Sequence, residues 1–317
     1  MLTPKARGAL SAALFETMRS GDPQVVEQTP ESAEDAAIAL WALFELHYRG
    51  FDDVDDELEW HPALLTVRHR LASDLERRLR ERWEPYAVTG RSAAEIGTEL
   101  FAYIEGHDGP SVARAVHTTA EAEQVLDLLR WRSVYHLKEA DPTAWVVPRL
   151  GARPKAALME LQFDEYGDGD PNRLHSHLFA RGLEAIGLRA EYGAYVDDAI
   201  TENLEMNNAG SMFGLHRRLR GAAMGHLAAF EMTSSLPSRK MVQGLERLEL
   251  DGPMSAYYDE HVEADAIHEH LAARDICGTL AEDEPDQLPE ILFGAFTCLD
   301  VEARFATAML TSWGVGR

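Results

Sequence analysis

The chain has 317 residues, with 30 Lys and Arg against 54 Asp and Glu, so its formal net charge is −24. That acid surplus argues against DNA, RNA or an anionic membrane as a partner, because each demands a basic face. The 45% apolar share predicts a globular chain with a substantial core, while two cysteines, Cys277 and Cys298, are too few for a disulfide framework.

Near the N-terminus, Lys5 and Arg7 precede an apolar stretch that Glu16 and Arg19 interrupt, and no clear small-residue cleavage site follows. No signal peptide is read there, and the chain is expected to be cytoplasmic. Apolar positions then recur at helical spacing over residues 4–19, 32–49, 62–83, 93–105 and 120–138. Ser32 is a natural N-cap for the second of these, with Glu34 and Asp35 in its first turn, although a full capping box takes Glu or Gln where Asp35 stands. The acidic stretch 51–60 (FDDVDDELEW) reads as a loop, and loose seams fall near 85–91 and 140–148. The longest apolar run, residues 36–44, falls far short of the ~20 residues of a membrane span.

The helical period continues over 154–166, 173–186, 208–233, 239–248, 253–270 and 288–311. Pro154 and Pro253 suit a first helical turn, and the GDGDP run at 167–171 stops one helix before the next begins. Short β-like runs such as 145–147 are too isolated to build a sheet. The expected fold is therefore all-α, with residues 1–115 as an N-terminal helical layer packed on a helical core domain of residues 116–317.

Four places carry chemistry. In YDEHVEADAIHEH (258–270), His261, Asp265 and His268 project from one helix face within an arc of about 60°. Two imidazoles and a carboxylate so placed form a metal half-site, although a solvated polar face has the same composition. Glu165 ends one helix and His175 opens the next, so both can reach one site. A calcium loop starting at Asp164 fails, because Tyr166 and His175 fall where acids are needed. Turn and capping chemistry alone explains Asp168 and Asp170. Glu231 lies in GAAMGHLAAFEMTSS (221–235), where an isolated carboxylate is costly unless paired or metal-bound, or half-exposed near a helix end. The small residues Gly221, Ala222, Ala223 and Gly225 of that stretch suggest close helix packing. Glu139 closes a helix before Asp141-Pro142 and means little alone.

Together they amount to a dinuclear carboxylate inventory of four acids and three imidazoles, without thiolates, which suits iron or manganese better than structural zinc. No Glu-x-x-His occurs in the chain, so the ligand pattern is not the ferritin type.

The segments LKEADP (137–142), DEYGDGDPNRLHSHLF (164–179), AAFEMTSS (228–235) and H-x3-D-x2-H resemble, in order and separation, the haem-oxygenase-like diiron oxidases, or iron-containing redox enzymes. The likeness spans roughly residues 130–275 and extends weakly into ELHYRGF (45–51) and EWHPALL (59–65). It implies a haem-oxygenase-like helical bundle, commonly dimeric, and carries the family's metal ligands onto Glu139, Glu165, His175, Glu231, His261, Asp265 and His268. It also implies two ferrous ions and no haem, dioxygen as co-substrate, a small-molecule substrate and an external electron donor. Four carboxylates balance the charge of two ferrous ions, so the charges can be buried together. The function expected is oxidation of a small amino-acid-like metabolite, by N-oxygenation or by C–H oxidation or desaturation. Desaturation or C–C cleavage of an aliphatic or fatty acid is the alternative within the class. An acidic helical interaction protein, whose His and Glu are merely surface, is the alternative outside it.

Among the other histidines, His177 faces away from His175, while His136 and His226 are candidates to lie beside the ligands. His47, His61 and His69 belong to the N-terminal layer, and Tyr166 reads as a packed core residue. About fifty of the 54 acids are expected to be solvated.

Overall fold

The computed structural model describes residues 1–315, with the side chains of residues 263–267 outside that description. Its helices are α1 (Ala9–Arg19), α2 (Ala33–Glu45), α3 (Pro62–Arg82), α4 (Ala93–Glu105), α5 (Val112–Thr118), α6 (Ala122–His136) and α7 (Asp141–Ala144). There follow α8 (Ala152–Glu165), α9 (His175–Ala185), α10 (Thr201–Leu215), α11 (Arg220–Arg247) and α12 (Pro253–His270), then a π-helical stretch (Leu271–Gly278), α13 (Thr279–Asp283) and α14 (Leu288–Ser312). The architecture is all-α, with no strand among the described residues. No helix among them is long and apolar enough to cross a membrane.

The central element is α11, which packs against α14, α12 and α5. Around it, α12 meets α9, α8 meets the π-helical stretch, and α10 meets α2. One apolar core runs from Leu10, Phe15 and Trp41 through Leu75 and Phe213 to Met224 and Phe293. A second joins Val116, Leu129, Phe179, Leu183, Tyr257 and Phe305.

Two helix boundaries depart from the sequence periodicity. The segment 208–233 is not one helix, because α10 ends at Leu215 and α11 begins at Arg220 after a 3₁₀ turn. Leu215 and Leu219 keep i, i+4 spacing across the break, so apolar period cannot reveal it. Conversely, the expected break before residue 239 is absent, and α11 runs through Pro237 to Arg247. Packing of α11 on its neighbours overrides the loss of one backbone N–H. The short helices α5, α7 and α13 and the π-helical stretch lacked sequence signals, being too brief to show a period.

Ser32 caps α2 as expected, accepting from Asp35 N–H at 3.1 Å. Asp35 is fully buried and reaches outward, accepting from Glu31 N–H at 3.1 Å, Leu10 N–H at 3.2 Å and Ser11 N–H at 2.8 Å. One carboxylate thus caps α1 and ties it to α2. Burial works against its charge, but the hydrogen bonds from Ser11, Glu31 and Leu10 prevail and hold its pKa below the ordinary value. A depressed folded-state pKa contributes stability above the unfolded value of about 3.9, lost as pH falls through the folded value. Asp35→Ala is expected to cost about 2 kcal/mol in urea unfolding at neutral pH, the upper range for a lost cap, and less in acid.

The expectation of an almost wholly solvated acid surplus is corrected. Asp35, Glu45, Glu76, Glu205 and Asp300 are buried. Glu205 takes Arg78 and Arg304 at 2.6 Å each, and Asp300 takes Arg82 at 2.6 Å. Glu76 meets Arg80 at 2.9 Å and also pairs with Arg218. Glu45 accepts from Tyr192 Oη at 2.6 Å and faces buried Lys138 at 3.4 Å. Composition counts these acids but cannot show the arginines that pair with Glu76, Glu205 and Asp300, the lysine that faces Glu45 or the backbone N–H groups that hold Asp35.

Candidate metal centre

Four helical regions converge on one buried place. Glu139 lies in the turn after α6, just before Ala140, whose φ of 70° swings the chain into α7. Glu165 is the last residue of α8 and His175 the first of α9. Between them Gly167, Asp168 and Gly169 all have positive φ, which turns α8 back into α9. A Cβ on Gly167 would sit 2.6 Å from the Arg173 carbonyl carbon. Glu231 is mid-way along α11, not near its end, and is only 5% exposed. His261 and His268 come from α12.

The side chains form two groups. Glu139, His175 and His261 each offer a donor atom, and these atoms lie within 4.8 Å of one another. Glu165, Glu231 and His268 form the second group under the same limit. All six residues are buried. The groups adjoin, since Glu165 Oε2 stands 3.1 Å from His175 Nδ1. The seventh expected residue, Asp265, lies outside the described residues.

Hydrogen bonds aim several of these groups. His261 Nδ1 is 2.8 Å from the Tyr257 carbonyl oxygen, which can only accept, so Nδ1 carries the proton. Its Nε2 lone pair then points at the cluster, 3.8 Å from Glu139 Oε1, buried and without a partner. Tyr257 Oη donates to Glu139 Oε2 at 2.8 Å, and His136 Nδ1 lies 3.1 Å from Glu139 Oε1 and 2.8 Å from Tyr257 Oη. With the tyrosine proton committed to Glu139, His136 Nδ1 acts as the donor. His268 lies between two acids, with Nδ1 3.4 Å from Glu231 and Nε2 2.8 Å from Asp164.

The electrostatics follow from packing acids and imidazoles together out of water. Burial alone pushes His175 down, but Glu165 and Glu139 outweigh it and raise its pKa to about 10. Burial is likewise outweighed at His268, which Glu231, Glu165 and Asp164 raise to about 9. Burial pushes Glu139 up, yet His136, His261 and His175 hold it down to about 2. At Glu231 burial wins and, with Glu165 nearby, raises the pKa. In the metal-free chain the carboxylates thus hold the His175 and His268 rings in the charged form.

The remaining expectations divide. His136 bonds directly to Glu139, as its spacing suggested. His226 does not bond Glu231; it packs edge-on to Phe213 and lines a separate cavity. His177 and His69 are exposed, His61 caps α3, and His47 meets Glu59 at 3.0 Å. Tyr166 Oη donates to Asp141 at 3.0 Å, pinning the segment after Glu139 to the residue after Glu165. Two residues of the site were not singled out from sequence. Asp164 had figured only as a calcium-loop position, and its i, i+1 relation to Glu165 was the available clue. Tyr257, four residues before His261 on the same helix face, showed its spacing but not its partner.

Tyr257→Phe keeps the ring contacts with Phe179 and His136, 5.0 and 5.6 Å between centroids, and removes only the donor to Glu139. It is expected to weaken ferrous binding about 10- to 100-fold while leaving helix content unchanged. Anaerobic competition against a chromogenic chelator reads the difference.

A sequence model of the family described as iron-containing redox enzymes matches residues 126–303, a span that holds all seven expected ligand positions. Nitrosourea synthase of Streptomyces achromogenes subsp. streptozoticus is 28% identical over 159 residues, which are 50% of this chain and 34% of the synthase. The chain therefore matches about a third of that relative's length. Among solved structures, a CADD-like protein of unknown function from Nostoc punctiforme PCC 73102 superposes with a TM-score of 0.54 at 16% identity, over 69% of this chain and 97% of that one. That likeness concerns the fold, which is the all-α, haem-oxygenase-like one. The chain belongs to the family of iron-containing redox enzymes.

Proposed function

We propose that the two buried groups hold two ferrous ions, and that the chain is a dioxygen-dependent oxidase or oxygenase of a small, amino-acid-like metabolite. One observation carries the reading: two adjoining triads each bring three buried oxygen and imidazole donor atoms within 4.8 Å of one another, and in the first of them His261 Nε2 is buried with no hydrogen-bond partner. Such an atom costs about 1–3 kcal/mol unless something satisfies it. A cation shared among these donors would satisfy it and would draw the Glu165–His175 pair into coordination, and this hard, thiolate-free set suits iron. Glu139, His175 and His261 would hold one ion, and Glu165, Glu231 and His268 the other. Asp265 completes the set by family likeness, and Asp164 stands against His268.

When bound, such an iron pair supplies the redox equivalents with which dioxygen is activated. The chain's own residues prepare the place. Tyr257 and His136 fix the Glu139 carboxylate, and the Tyr257 carbonyl fixes the His261 tautomer. The buried rings of Phe179 and Tyr257 pack on each other and against His136 and His261, an apolar wall that would keep water from the site. The similarity to nitrosourea synthase, whose product class carries a nitrogen–oxygen bond, supports oxygen insertion at nitrogen. C–H oxidation or desaturation is the other outcome for an amino-acid-like substrate, and an aliphatic acid undergoing desaturation or C–C cleavage is the second reading. An external electron donor would supply the electrons this chemistry consumes, and the chain would work in the cytoplasm as a homodimer.

The test is dioxygen uptake by the ferrous-loaded chain across a panel of amino acids and aliphatic acids, with product mass separating oxygen gain from hydrogen loss. Substrate-dependent uptake that vanishes without iron is expected. Uptake equal in metal-free and loaded chains would contradict the reading.

A further inference from the structure

A second buried space lies beside the cluster, a cavity of about 360 Å³ bordered by α6, α10, α11 and α14. That volume falls in the range of sites for small molecules, about 300–1,000 Å³. His136, Tyr135 and Phe230 form part of its wall, and since His136 bonds Glu139 the cavity adjoins the cluster. His107, Gly109 and Pro110, all exposed, also border it, so it reaches the surface.

Its walls are mostly apolar in area, and the Lys, Arg and Glu side chains among them are Arg132, Glu302 and Lys138, the last already held by Glu45 at 3.4 Å. Arg132 and Glu302 both line the cavity and pair through two hydrogen bonds, Nη1 to Oε2 at 2.9 Å and Nη2 to Oε1. The guanidinium lies over the Phe305 ring, 4.7 Å from its centroid, which holds its plane in place. Asn207, only 4% exposed, gives its amide N–H to Asn203 and leaves Oδ1 buried without a partner. His226 Nε2 is also buried without a partner, and burial pushes its ring down to about 4, so the ring is neutral. A cavity with two unpaired buried polar atoms is built to receive hydrogen-bonding groups.

We propose that this cavity is the substrate chamber and that the Arg132–Glu302 pair selects a zwitterion, a molecule carrying both a carboxylate and an ammonium group. The pair is neutral overall. A zwitterion can exchange partner for partner, its carboxylate on Arg132 and its ammonium on Glu302, leaving no charge unmatched. A simple acid would bring a second carboxylate to a guanidinium already neutralised by Glu302. A simple amine would compete with Arg132 for Glu302 and strand the guanidinium. Asn207 Oδ1 accepts a further N–H, and the neutral His226 ring bonds a polar side-chain group of the ligand. This inference rests on the reading of the neighbouring cluster as the reacting centre, and it concerns recognition alone.

The test is binding to the full metal-free chain by calorimetry, which separates recognition from iron chemistry. The probes are the twenty common L-amino acids, each matched with the amine lacking its carboxylate and the acid lacking its amine, and dodecanoate as an aliphatic acid. At least one zwitterion is expected to bind, with both matched analogues tenfold weaker or more. Glu302→Gln keeps the shape of a half-exposed side chain and is expected to weaken that binding at least tenfold while loading iron like the parent. Arg132→Met is expected to do the same, with circular dichroism checking its fold. Binding of dodecanoate alone, of no amino acid, or of a zwitterion with equal strength to Glu302→Gln would overturn the proposal. Loss of iron loading in the parent chain would instead sink the metal reading and leave this result standing.

Discussion

A Glu231→Leu chain is expected to fold and to lose its ferrous binding by more than about a hundredfold, beyond the 10- to 100-fold typical of losing a residue that merely supports a ligand. The sign of its stability change separates two roles. If Glu231 served only as the buried partner of His268, removing it would cost about 3–5 kcal/mol, as for a broken buried ion pair. The environment argues otherwise. Burial raises the Glu231 pKa, so the metal-free fold holds this carboxylate at a cost, and His268 retains Asp164 at 2.8 Å. Leucine matches the apolar surroundings of α11 and favours helix. The metal-free variant should therefore unfold within about 1 kcal/mol of the parent. The parent, unlike the variant, should gain stability on loading, since a ligand that binds only the folded state at about 100 times its Kd adds about 2.7 kcal/mol. Thermal denaturation with and without ferrous ion, under argon, measures both differences.

Gly225→Ala is expected to destabilise the chain by about 3 kcal/mol or more, at the upper end of overpacking. Here α11 crosses α14 with backbones in contact. A Cβ on Gly225 would fall well inside the van der Waals radius of the Ile291 carbonyl oxygen, and one on Gly294 would collide with the Ala222 carbonyl oxygen. Each obstacle is backbone in a buried helix, so relief requires the helices to separate. Glu231 lies six residues further along α11, and a displaced helix would move it away from Glu165 and His268. Iron binding should weaken as well. Gly210 on α10 is the control, since a Cβ there meets nothing within 4 Å. Gly210→Ala should be neutral or stabilising by up to about 1 kcal/mol, the helix-propensity gain. Urea unfolding of the two variants gives the comparison.

Much of this architecture was legible because helices announce themselves by period and punctuation. The Ser32 cap, the GDGDP turn between Glu165 and His175 and the small-residue stretch 221–225 each marked a local event that recurs in the fold. Periodicity failed where its signal is degenerate. Leu215 and Leu219 carry the i, i+4 pattern across a real break, and Pro237 imitates a break within a continuous helix. The site was legible as an inventory, because α12 carries both His261 and His268 and Glu231 stood alone among apolar residues; the expected half-site on α12 is divided, with His261 joining Glu139 and His175 and His268 joining Glu165 and Glu231. What spacing could not show was which acid meets which imidazole. The division into two triads, the bond from Tyr257 to Glu139 and the approach of Asp164 to His268 arise between helices distant in sequence. The same holds for the Arg132–Glu302 pair, 170 residues apart, and for the buried acids that arginines neutralise.

Two irons in two adjoining triads can be counted directly, by anaerobic equilibrium dialysis against ferrous ion followed by iron analysis and Mössbauer spectroscopy. A limit of two irons per chain in non-haem ferrous environments is expected, and none in a chain carrying both His261→Ala and His268→Ala. A wild-type chain that binds no iron, or a doubly substituted chain that still binds two, would contradict it.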